Sequence, residues 1–91
     1  MSQITVVREH QLGYETARER AEKLVEKLVS KYDMQAAWDG DTVQLKRSGM
    51  TGQVQVAADT VQVDLTLGTM LSMMGGVIET EIGKALDKYL A

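Results

Sequence analysis

The 91-residue sequence has no cysteine, no proline and no phenylalanine, and it holds one tryptophan and one histidine. Without cysteine there can be no disulfide, no thiolate nucleophile and no cysteine-type zinc site. That absence fits a reducing compartment. A single histidine has no second imidazole to share a metal ion with, so no metal or other cofactor is expected. The segment MSQITVVREH lacks the basic and long apolar regions of a signal peptide. The longest uncharged stretch, Leu65 to Ile78, is fourteen residues long and is broken by Gly68, Gly75 and Gly76. A membrane-spanning helix needs about 20 apolar residues. No membrane span is therefore expected, and the expected location is cytoplasmic.

Basic and acidic residues nearly balance, ten against thirteen. The net charge is −3 and the pI about 5.0. Such a chain has little electrostatic attraction for a nucleic-acid backbone. What is present is ordinary for a globular protein: 44% hydrophobic and 25% charged residues. One domain spanning residues 1–91 is expected at this length.

Ile4, Val6 and Arg8 alternate with Thr5, Val7 and Glu9, the pattern of a short strand. From Tyr14 to Tyr32 the period becomes helical. Ala17, Ala21, Leu24, Val25, Leu28 and Tyr32 share one face, and charged residues take the other. Period two then returns through Met34, Ala36 and Trp38, through Val43 and Leu45, through Val54 and Val56, and through Val61 to Leu67. Asp39-Gly40, the stretch from Ser48-Gly49 to Gly52, and Ala58-Asp59 read as the turns between them. Ile78, Ile82, Ala85, Leu86 and Tyr89 form the apolar face of a last helix. The expected fold is α+β: a two-layer sandwich of order β-α-β-β-β-β-α. Two helices cover one face of a mostly antiparallel five-stranded sheet, and the first strand is placed at an edge.

Candidate chemistry is sparse. His10 reads as a loop residue that orders the strand-to-helix connection. A catalytic role would need an orienting partner and convergence with Arg47 and a carboxylate, and no enzyme is expected. Asp39 and Asp41 flank a turn and lack the further oxygen ligands of a calcium loop. Trp38 reads as a core anchor. The stretch LGTMLSMMGG is the most unusual. Met70, Leu71, Met73 and Met74 either extend the last helix backwards into the core or form an adaptable apolar surface; the Gly75-Gly76 pair favours a later helix start.

The runs VREHQL, ARERAEKL, WDGDTVQLKRSGMTGQVQV and LTLGTMLSMMGGVIETEIGKALDKYL together resemble the small bacterial polyhydroxyalkanoic acid system proteins. The resemblance covers nearly the whole chain. Its most specific parts are Arg8-x-His10-x-Leu12, Trp38-x-Gly40-Asp41, Arg47-Ser48-Gly49 with Gly52, and Ile78-Glu79-x-Glu81-Ile82. It implies an association with polyester-granule synthesis and use, and it carries no catalytic residues over. The expected function is a non-enzymatic accessory protein that binds a polyhydroxyalkanoate granule surface, or a granule-associated protein, through residues 69–74. The alternative is a carrier of a small acyl or hydroxyacyl ligand in a cavity between sheet and last helix, lined by Trp38, Val54, Val63 and Leu71. A homodimer through the polar sheet face or an edge strand is a further expectation.

Overall fold

The computed structural model describes residues 2–90. The chain runs β1 (Ser2–Glu9), α1 (Tyr14–Tyr32), β2 (Gln35–Asp39), β3 (Thr42–Arg47), β4 (Met50–Val56), β5 (Thr60–Leu67), a short 3-10 turn (Ser72–Met74) and α2 (Gly75–Leu90). The strands form one sheet of order β1-β5-β4-β3-β2, antiparallel throughout. β2 to β5 are a meander, and β1 closes against β5 at the edge. The two-layer α+β fold expected from the alternation is the fold observed.

The register explains the core. Val6, Val63, Val54, Val43 and Trp38 lie in one row across all five strands. Ile4, Leu65, Gly52, Leu45 and Ala36 form the next. On strands, residues two apart point to the same face, so both rows face the helices. Ala17, Ala21, Leu24, Val25 and Leu28 of α1 and Ile78, Ile82, Ala85 and Leu86 of α2 are buried over them. Gln44, Lys46, Gln55 and Thr66 face solvent on the other side.

Three details depart from the sequence reading. Gly52 belongs to β4 rather than to a turn, and the turn is confined to Ser48-Gly49. Gly52 is required there because a Cβ would stand 2.5 Å from the Asp64 carbonyl oxygen and overlap Leu65 Cδ2. The Leu65 side chain leans into the slot that the glycine leaves beside Leu45. Ala36 is exposed and Trp38 only half-buried, because β2 is the edge strand opposite β1 and the helices do not fully roof it. Met34, read as part of β2, precedes the strand and is buried.

α1 ends at Asp33, whose φ of 55° is left-handed; its N–H reaches Val29 O. At the other side of the molecule Arg8 crosses from β1 to α2, where its Nε donates to Asp87 Oδ1 at 2.9 Å. Gly83 makes room for it: a Cβ there would meet Arg8 Nη2 at 2.9 Å.

Candidate functional site

The methionine segment closes the end of the sheet where β5 leaves it. The Gly68 N–H donates to Gly49 O at 2.8 Å, which ties the segment to the β3–β4 turn. The Leu71 N–H and the Ser72 hydroxyl both donate to Gly68 O, at 3.1 and 3.0 Å. The Met74 N–H donates to Leu71 O at 3.0 Å. These bonds wind the backbone into a tight pair of turns. Leu71 is turned inward and packs against the core, near Gly49. The same winding turns Met70 and Met73 outward, at 92% and 95% exposure. Met74 and Val77, at 47% and 58%, continue the patch onto α2. Of the two readings the sequence left open, the surface applies to Met70 and Met73 and the core to Leu71. The glycine pair begins α2, and only Ser72–Met74 extend it backwards, as a single 3-10 turn.

Trp38 stands apart from this patch, near the hairpin turn at Gly40. The Arg18 guanidinium lies 4.0 Å from the centroid of its ring. Arg18 Nη1 also donates to Gly40 O at 2.7 Å. The Tyr14 hydroxyl donates to Asp41 Oδ1, and Arg18 is 3.9 Å from the same carboxylate. Asp41 therefore anchors the β2–β3 hairpin to α1. Val43, Val54 and Val63, in the row with Trp38, are fully buried. Leu71 follows Leu67, four residues along β5 from Val63, about 13 Å at the strand rise. Val54 and Val63 are cross-strand partners in the row that ends at Trp38, while Leu71 lies beyond the end of β5.

His10 is buried at the end of β1. The Leu12 N–H donates to Nδ1 at 3.2 Å, so Nε2 carries the proton and donates to Ala57 O, also at 3.2 Å. The ring bridges the β1–α1 connection to the β4–β5 turn, the ordering role expected from the sequence. Arg47 lies at the opposite end of the sheet, where Nη1 donates to Tyr32 O at 2.8 Å. Among the described residues no group of three or more His, Asp or Glu side chains could hold a metal ion. Among the described residues no helix is long and apolar enough to cross a membrane.

A second feature was invisible in the sequence because its parts lie some fifty residues apart. α1 and α2 run antiparallel and leave a groove of about 260 Å³ on the outer surface. Lys27 and Lys31 stand on one wall, Lys84 and Lys88 on the other. Between them Glu81 accepts a hydrogen bond from the Tyr32 hydroxyl at 2.7 Å and pairs with Lys31 Nζ at 2.6 Å. The Lys31 and Tyr32 contacts hold the Glu81 carboxyl below its ordinary value. Burial, followed by the hydrogen bond to Glu81, pushes the Tyr32 phenol up.

Comparison with known proteins decides the family. Residues 4–90 match the family model described as "Putative polyhydroxyalkanoic acid system protein". The chain belongs to this family. Its name links the polyhydroxyalkanoic acid system protein to the polyhydroxyalkanoate granule region. No curated protein matches the chain. Among solved structures, the NMR structure of PA4090 from Pseudomonas aeruginosa is similar, with a TM-score of 0.61 at 9% identity. The match covers 97% of this chain and 83% of that one, and it shows a shared fold.

Proposed function

We propose that this member of the family is a non-enzymatic accessory protein that docks on an apolar surface of the polyhydroxyalkanoate granule through Met70 and Met73, with Met74 and Val77 at the margin. The observation that carries this reading is the near-complete exposure of two adjacent thioether side chains on a hydrogen-bonded turn. A folded monomer gains nothing by presenting them to water, since burying a methionine side chain is worth about 1.5–3 kcal/mol. Methionine is flexible and polarizable, which suits an irregular apolar partner. The backbone beneath is tied down, so little ordering is needed on contact. From Leu65 to Ile78 there is no charged residue, which favours an uncharged polymer surface over a charged partner.

The test is co-sedimentation of the purified protein with polyhydroxyalkanoate granules. Met70→Glu with Met73→Glu removes about 3–6 kcal/mol of available burial. Binding should weaken at least ~100-fold, equivalent to about 2.7 kcal/mol, while circular dichroism stays unchanged. Sedimentation of the double variant at the wild-type level would remove this surface from the account.

A further inference from the structure

The groove between the helices concentrates cations on a chain that is acidic overall. Four of its ten basic residues line one short seam, opposed by a single carboxylate. Among the described residues only Lys31 of the four makes a salt bridge. Like charges gathered this closely repel one another, so the arrangement is unfavourable for the free protein. It becomes favourable when an anion enters. Glu81 already demonstrates the preference from within: its carboxylate occupies the groove and accepts from both Lys31 and Tyr32.

We propose that this groove binds an anion carrying several linked phosphate groups, the chemistry shared by nucleoside triphosphates and inorganic polyphosphate. The cations are lysines, compact point charges that bind phosphate oxygens without a fixed fork geometry. Lys27 and Lys31 are one helical turn apart, as are Lys84 and Lys88, so each wall repeats its charge at about 6 Å. An extended anion with several charges can reach both walls and both turns. A lone carboxylate or orthophosphate reaches only part of them. Glu81 competes for Lys31, so it limits the affinity of the resting groove. This site is independent of the methionine surface, and either can fail without the other.

The experiment is an NMR amide-shift titration of the full chain at low ionic strength with sodium tripolyphosphate, ATP, orthophosphate and adenosine. Tripolyphosphate and ATP should give saturable shifts confined to residues 27–32 and 81–88, weakening as salt is added. Equal affinities would identify the phosphate chain as the recognised part, and tighter binding of ATP would identify a nucleotide; both results support the site. Lys27→Glu with Lys84→Glu should weaken binding at least tenfold. Glu81→Gln should tighten it several-fold, a gain that a merely structural role for Glu81 does not produce. Absence of saturable shifts at low-millimolar tripolyphosphate would overturn the proposal. So would adenosine binding as well as ATP, or an equal loss from Lys46→Glu on the far face of the sheet.

Discussion

Replacing Gly52 by alanine tests how tightly the sheet is built. The glycine sits between Leu45 and Leu65 in a row of side chains beneath the helices. The new methyl group would stand 2.5 Å from the Asp64 carbonyl oxygen, which is backbone and can move only if β4 and β5 part locally. It would also displace Leu65 Cδ2 from a packed core. Overpacking of this kind costs about 1–3 kcal/mol, and a weakened ladder hydrogen bond adds about 1 kcal/mol. The alanine loses less backbone entropy on folding, which offsets about 0.4–1 kcal/mol. The net expectation is a loss of about 1–3.5 kcal/mol. A domain of this size has a total stability of about 5–14 kcal/mol, so Tm should fall by about 5–25 °C. Thermal and urea unfolding followed by circular dichroism measure it. Pairing the change with Leu65→Ala should cost about 1 kcal/mol less than the sum of the single changes, because part of the overlap disappears. Gly76→Ala is the contrast: a Cβ there meets nothing within 4 Å, and the variant should be as stable as wild type or about 0.5 kcal/mol more stable. A Gly52→Ala protein within about 0.5 kcal/mol of wild type would show that the β4–β5 packing is looser than described.

Other expectations follow from the helix ends and the helix seam. Asp33→Gly should stabilise by about 0.5–1 kcal/mol, because the residue has positive φ and a carboxylate beside a helix C-terminus; urea unfolding checks it, and a loss of stability would contradict the cap geometry. Glu81, held below its ordinary value of 4.5, contributes stability above that pH and loses it as the pH falls through its folded value. The stability difference between wild type and Glu81→Gln should therefore shrink as the pH falls from neutral through that folded value, and a difference that stays constant would show that the Lys31 and Tyr32 contacts contribute nothing.

Much of the fold was legible because each element has a clear period. The apolar spacing from Ala17 to Tyr32 marks α1, and the observed helix spans Tyr14–Tyr32. Gly40 and Gly49 adopt positive φ in the turns that their neighbours suggested. Gly52 was misread because a glycine near a turn looks like part of it; only the register shows the leucine that fills its place. Ala36 and Trp38 were misjudged for a related reason. Alternation tells which face a side chain takes but not how far the helices extend over an edge strand. The methionines were undecidable from spacing alone. Their exposure follows from the Gly68–Gly49 and Ser72–Gly68 hydrogen bonds, which turn Met70 and Met73 out and Leu71 in. The lysine groove is a product of tertiary pairing between α1 and α2, with no local signature.

The most direct measurement is an NMR spectrum of methionine methyl groups labelled with carbon-13, recorded with and without suspended polyhydroxyalkanoate particles. The account predicts selective broadening of the Met70 and Met73 signals, with those of buried Met34 and Met50 broadened far less. Equal broadening of all four, or none at Met70 and Met73 while the protein still binds, would contradict it.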